Sequence, residues 1–141
     1  MRTSRVRVLV VDDHEPMRQW VCSTLRTRPE LQVIGEASDG LEAVHKAQEL
    51  HPDLIVLDIG LPTLNGLDAA RHIHALIPES KILFLSQHSS AEIVEGALSS
   101  GAVGYVIKMH AGTDLLNAVE AVCQGERFFS RGLPVTISPA L

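Results

Sequence analysis

Apolar residues along this chain fall into two alternating textures. Five short runs rich in β-branched and aliphatic side chains stand at Val6 to Val11, Leu31 to Ala37, Leu54 to Leu57, Lys81 to Ser86 and Val103 to Ile107. Each has strand length and gives way to polar or turn-forming residues. Between them the apolar positions recur at helical spacing. Met17, Trp20, Val21 and Leu25 form one such stripe, with Pro16 in the first turn, where proline is tolerated, and Pro29 as its stop. Asp39 with Glu42 has the spacing of a capping box ahead of Val44, Ala47 and Leu50. Asn65 can cap a helix carrying Leu67, Ala70, Ile73 and Ile77, which Pro78 ends. Ser89 with Glu92 predicts a fourth helix with Ile93, Ala97 and Leu98 inward and Gly101 as its stop. Leu115, Leu116, Val119 and Val122 line a fifth, closed by Gly125.

A strand followed by a helix, five times over, is the pattern of an α/β fold with a parallel sheet covered on both faces. Right-handed crossovers leave few topologies. The compact solution at this length is a flavodoxin-like (βα)5 doubly wound sheet with strand order 2-1-3-4-5. It spans residues 5–125, and the stretch 126–141, with Pro134 and Pro139, reads as an irregular tail or the start of a linker.

Composition narrows the picture. The 141 residues suit one core, and 17 acidic against 12 basic residues give a formal net charge of −5. That balance argues against direct nucleic-acid binding, which needs a basic footprint on the phosphates. The apolar stretch after Arg5 is interrupted by Arg7 and ended by Asp12-Asp13, so it fits neither a signal peptide nor a membrane span. Cys22 and Cys123 form no C-x-x-C pair and are expected to be buried free thiols in a reducing compartment, which places the chain in the cytoplasm.

Candidate chemistry lies at the carboxyl ends of the strands, which in a doubly wound sheet line the ligand crevice. Strand one ends in Asp12-Asp13, strand three in Asp58, strand four in Ser86 and strand five in Lys108. Each alone is more often a cap or a solvated residue, and the conjunction is what carries weight. Carboxylates placed together repel unless a cation joins them, and such oxygen donors suit Mg²⁺, with Mn²⁺ as a substitute. A carboxylate can accept a phosphoryl group as an acyl phosphate, with Lys108 and Ser86 on its oxygens. Asp39, Asp53, Asp68 and Asp114 sit at helix starts or before a strand and read as structural.

The stretches Val8-Leu9-Val10-Val11-Asp12-Asp13-His14, Asp58-Ile59-Gly60-Leu61-Pro62 with Asn65-Gly66, Ser86, and Gly101-Ala102 with Gly104-Tyr105-Val106-Ile107-Lys108 resemble the receiver domains of two-component response regulators. The resemblance runs from about Arg5 to Gly125. It implies that a partner histidine kinase phosphorylates Asp58. It further implies that Asp12, Asp13, Asp58 and the Gly60 carbonyl hold Mg²⁺, and that Ser86 and Lys108 contact the phosphoryl group. Tyr105 would be the switch aromatic that turns inward as Ser86 moves. Homodimerisation on phosphorylation also follows from the family. Asp13-His14, Gly35-Glu36-Ala37 leading into Asp39-Gly40, and a non-proline after Lys108 are most similar to the subgroup with a C-terminal LuxR-type helix-turn-helix. The expected output is therefore transcription regulation through a DNA-binding domain outside this chain, with a stand-alone phosphorelay carrier or adaptor as the alternative.

Two departures stand out. Met109 follows Lys108 where many relatives have proline, so a trans bond is expected. Gln87 follows Ser86 where a small residue is common, and its bulk is expected to alter phosphoryl lifetime in a direction the sequence leaves open. Gly60 works against that bulk by leaving the entrance beside Asp58 bare. Other chemistries fit poorly. A Mg²⁺-dependent phosphohydrolase of the Asp-x-Asp kind would need a second acid where Gly60 stands, and neither a Walker A loop nor G-x-G-x-x-G follows the first strand. The seven histidines show no zinc-ligand spacing, and His72 and His74 do not share a helix face. His14 and His88 lie near the proposed site and are expected to be solvated. The reading is a signalling switch, not a turnover enzyme.

Overall fold

The computed structural model describes residues 5–133. Its elements are β1 (Val6–Val11), α1 (Glu15–Leu25), β2 (Leu31–Ala37), α2 (Gly40–Leu50), β3 (Leu54–Leu57), α3 (Gly66–Leu76), β4 (Lys81–Ser86), α4 (Ala91–Ser99), β5 (Gly104–Ile107), α5 (Ala111–Cys123) and β6 (Phe128–Phe129). The strands form one parallel sheet in the order β2-β1-β3-β4-β5-β6. The doubly wound order read from the sequence is thus present, with one strand added.

That strand is a correction. The stretch after Gly125 was expected to be irregular, but Phe128 and Phe129 pair with Gly104 and Tyr105. Two residues are too few to show a period, so the signal was missing from the sequence. The positions 134–141 of the expected tail lie outside the described residues.

Alternation along each strand divides the core in two. Leu9, Val11, Ile55, Leu57, Ile82, Phe84 and Tyr105 face α2, α3 and α4, while Val8, Val10, Val56, Leu83, Leu85 and Val106 face α1 and α5. Helix starts follow the expected chemistry with one shift. Asp39 accepts from the Glu42 N–H and Asn65 from the Asp68 N–H. The α4 cap is Ser90, not Ser89: its hydroxyl accepts from the Ile93 N–H. The Ser89–Glu92 spacing favours the first serine, but the helix that buries Val94 and Ala97 begins one residue later. Gly101, at φ +95°, stops this helix in the left-handed region, where glycine is least strained.

Two side-chain expectations also change. Trp20 lies at the edge of the α1 stripe and is 38% exposed, and Cys22 fills the inward position beside Val21 and Leu25. Cys22 is buried as expected, whereas Cys123 is exposed. All peptide bonds are trans among the described residues, including the one between Lys108 and Met109. Among the same residues no helix is long and apolar enough to cross a membrane.

Candidate functional site

The site is built by strand ends. Asp12 and Asp13 follow β1, Asp58 follows β3, Ser86 ends β4 and Lys108 follows β5. Because β1 and β3 are neighbours, the Asp58 N–H donates to the Val11 carbonyl at 3.1 Å and brings the two acidic ends together. One carboxylate oxygen from each of Asp12, Asp13 and Asp58 lies within 4.8 Å of the others. Lys108 Nζ reaches Asp12 Oδ2 at 2.9 Å and Asp58 Oδ2 at 3.1 Å. The remaining oxygens are also held: Asp58 Oδ1 accepts from the Ile59 N–H at 2.7 Å and Asp12 Oδ1 from the His14 N–H at 2.9 Å.

Asp12 and Asp58 are buried and Asp13 is exposed. Burial pushes the Asp58 carboxyl above the ordinary carboxylate range; the Lys108 charge opposes this and the Asp12 charge adds to it. Burial alone would lower the Lys108 ammonium, but its hydrogen bond to Asp12 and the charges of Asp58 and Asp12 outweigh that and raise it. Lys108 is thus held charged between two carboxylates. Its removal is expected to destabilise the cation-free protein by about 3 kcal/mol at neutral pH, because two buried carboxylates lose their shared ammonium. Urea unfolding of Lys108→Ala in chelator at pH 7 and pH 4 checks this. The gap from the parent should shrink at pH 4 as the Asp58 carboxyl, held above its ordinary range, takes up its proton, and a constant gap would refute the electrostatic cause.

Ser86 and Tyr105 meet at the loop after β4. Ser86, fully buried, accepts from the His88 N–H at 3.1 Å, and the Tyr105 hydroxyl donates to the His88 carbonyl at 2.7 Å. Tyr105 is also fully buried, its ring tilted against Phe84 with centroids 6.1 Å apart, and burial raises its phenol pKa. The Tyr105 side chain therefore lies inside the core. A cleft over the acidic cluster is lined by Asp13, Met17, Asp58, Gly60, Gln87 and His88, among others. A Cβ on Gly60 would stand 3.7 Å from His88 Nε2, so the His88 ring leans over the gap that Gly60 leaves. His88, expected to be solvated, is half-buried, and its backbone ties the loop to two site residues.

Other supporting groups were invisible in the sequence. Ser130, just past β6, is buried and accepts from the Ile107 N–H at 3.0 Å while donating to Asp114 Oδ2 at 3.1 Å. It thereby pins the residue before Lys108. Arg18 on α1 donates to the Asp12 carbonyl. Neither contact has a local signature. The four aspartates read as structural are so placed: Asp39 caps α2, Asp53 accepts from the Arg7 N–H, Asp68 pairs with Arg71, and Asp114 holds Ser130.

The cluster offers hard oxygen donors of the type that hold Mg²⁺ or a similar divalent cation. Its place at the switch in strand order, with an ammonium opposite, is an arrangement for bringing a cation and a phosphoryl group together. The family model described as "Response regulator receiver domain" matches residues 8–120. The chain belongs to this family.

Relatives of this receiver domain agree. The transcriptional regulatory protein DegU of Brevibacillus brevis is 34% identical over 86% of this chain and 52% of its own length. The response regulator protein VraR of Staphylococcus aureus is 36% identical over 88% of this chain and 59% of its own. The chain therefore spans only a little over half the length of these relatives. A LuxR-family response regulator from an Aurantimonas species superposes with a TM-score of 0.88 at 34% identity, covering 92% of this chain and 93% of that one. The receiver domain of NarL from Mycobacterium tuberculosis gives 0.83 at 32% identity, covering 87% and 99%. The receiver is thus a response-regulator signalling module of two-component systems, and its likeness falls in the LuxR-type subgroup.

Proposed function

We propose that Asp58 is the phosphoacceptor of this receiver, and that its phosphorylation switches the β4–α4 loop and the face around β5. One observation carries the assignment. Asp58 is the carboxylate of the cluster that is at once buried, in contact with Lys108 and part of the cleft lining. An Asp58 carboxylate oxygen attacks the phosphorus of the donor, an acyl phosphate forms, and the donor group leaves with its electron pair. Asp12, Asp13, Asp58 and the Gly60 carbonyl would hold Mg²⁺ (Mn²⁺ as a substitute), which when bound neutralises the phosphoryl charge. Lys108 is already between Asp12 and Asp58, placed to turn to a phosphoryl oxygen without a large movement.

The switch follows from the two bonds to His88. A new dianion at Asp58 draws the Ser86 hydroxyl, which then gives up the His88 N–H, while Tyr105 keeps the His88 carbonyl. The loop thus changes partners at one end and is guided at the other. The phosphodonor is a sensor histidine kinase, and the phosphorylated domain forms a homodimer. Sizing the protein with and without a phosphate mimic tests the dimer, and an unchanged size counts against it. Residues 5–130, with β6 and Ser130 included, act as the receiver unit in the cytoplasm, and the output is a DNA-binding domain, as the likeness to transcriptional regulators supports. On this reading the chain modifies itself and turns over no other substrate.

Intact mass after incubation with Mg²⁺ and acetyl phosphate tests the assignment. One phosphoryl group should be gained with Mg²⁺ and none in chelator; no gain in a protein shown to bind Mg²⁺ overturns it. Gln87 lines the cleft mouth and is exposed. Gln87→Ala should therefore admit water and speed phosphoryl loss by about threefold, under 1 kcal/mol of barrier. Equal decay rates would remove any role for Gln87.

A further inference from the structure

We propose that Arg18 is a positioning residue for the Asp12–Asp13 pair, clamping the peptide from which both carboxylates hang. This rests on the reading of that pair as the cation-binding acids. The Arg18 guanidinium makes two bonds in two directions. Nη1 donates to the Asp12 carbonyl oxygen at 2.9 Å, and Nε donates to Glu36 Oε1 at 2.9 Å. The Asp12 carbonyl belongs to the peptide plane that joins Asp12 to Asp13. Holding that oxygen fixes the plane and, with it, the directions in which the two side chains leave the backbone.

The rest of the structure shows why a clamp is needed here. Asp12 is held through its side chain by Lys108 and by the His14 N–H. Asp13 is exposed and lies beyond the last β1–β3 pair, Val11 with Leu57. Its carboxylate is therefore aimed by the backbone before it. The guanidinium is mostly buried, with a side-chain exposure of 17%. It bridges three elements: α1 carries it, the end of β1 accepts from it, and Glu36 on β2 anchors it. Glu36 is itself tied, because its carbonyl accepts from Lys46 Nζ on α2. A planar fork with donors at fixed angles can serve both acceptors at once, and a single ammonium cannot do so as rigidly.

Charge and geometry predict opposite signs, which makes the clamp testable. Removing a positive group beside an acidic cluster should by electrostatics alone strengthen cation binding. Loss of the clamp should weaken it, on the order of tenfold, as for other groups that orient metal ligands. The experiment measures the Mg²⁺ dissociation constant by calorimetry for the parent, Arg18→Met, Arg18→Lys and Glu36→Ala, alongside urea unfolding of each in chelator. Expected is about tenfold weaker binding for Arg18→Met, partial recovery for Arg18→Lys, and an intermediate loss for Glu36→Ala, in variants that remain folded. Binding by a folded Arg18→Met as tight as the parent's, or tighter, overturns the clamp and leaves the phosphoacceptor reading intact. Should Arg18→Met fail to fold, Arg18→Lys decides, since it keeps the charge and loses the fork, and parent-like binding there overturns the clamp. A parent that binds no Mg²⁺ overturns both.

Discussion

Asp58→Asn is expected to take up no phosphoryl group and yet to fold more stably than the parent when no divalent cation is present. The first half follows from chemistry: an amide of the same shape has no nucleophilic carboxylate to attack phosphorus. The second follows from the cost of the charge. Burial holds the Asp58 carboxyl above its ordinary range, the Lys108 charge offsets part of this, and the Asp12 charge adds to it. A folded pKa above the unfolded one means that the native state binds the proton more tightly. Stability then falls as pH rises through the carboxylate range, and at neutral pH the ionised Asp58 is a net burden. Removing it should return about 1 kcal/mol, a rise of roughly 4 °C in melting midpoint. The advantage should shrink toward about pH 4, because the parent carboxyl takes up its proton as the pH falls through the carboxylate range. It should reverse in Mg²⁺, since the parent then gains stability from binding that the variant has weakened. Melting curves in chelator at both pH values, with intact masses after acetyl phosphate, check all of this. A variant less stable than the parent at neutral pH would show that Lys108 more than offsets burial.

Gly66→Ala is expected to cost far more than its single methyl suggests. A Cβ at Gly66 would lie 2.0 Å from the Asp58 carbonyl oxygen and 2.7 Å from Ile59 Cα. These are backbone atoms and cannot swing aside as a flexible side chain would. The approach is close because the first residue of α3 donates its N–H to the Ile59 carbonyl at 2.7 Å, locking the helix start against the loop that carries Asp58. Accommodating the methyl must either push α3 outward or move the acceptor's own backbone. The expected loss is about 3 kcal/mol, at the upper end for overpacking, together with slower phosphoryl uptake. Gly112→Ala in α5 is the control, because a Cβ there meets nothing within 4 Å. It should leave stability unchanged or slightly higher. Urea unfolding of the two variants beside the parent decides the matter, and parent-like stability in Gly66→Ala would refute the close approach.

The Asn65-Gly66 pair illustrates how far local sequence reaches. Asn65 was legible as a cap because the bond it makes, to the Asp68 N–H, lies three residues away. Gly66 was legible only as part of a resemblance, since the atoms that require it belong to a different strand end. The same division runs through the molecule. Alternation between strand-sized runs and helical stripes determined the five βα units, their order and the placing of Asp12, Asp13, Asp58, Ser86 and Lys108 at one edge. These signals are short-range, because periodicity records which side of its own element a residue faces.

What depended on partners distant in sequence was decided by the tertiary structure alone. Whether Ser89 or Ser90 caps α4 was set by how that helix seats Val94 and Ala97. Phe128–Phe129 became a strand because β5 offered a free edge, and Ser130 became buried because Ile107 and Asp114 were there to meet it. Arg18, an ordinary polar position in a helical stripe, became a bridge between β1 and β2 only once α1 had packed beside them. The sequence determined by itself which elements form and which chemistry their ends carry. Folding decided which backbone groups that chemistry leans on, because a hydrogen bond to a carbonyl far along the chain leaves no periodic trace in the residues that make it.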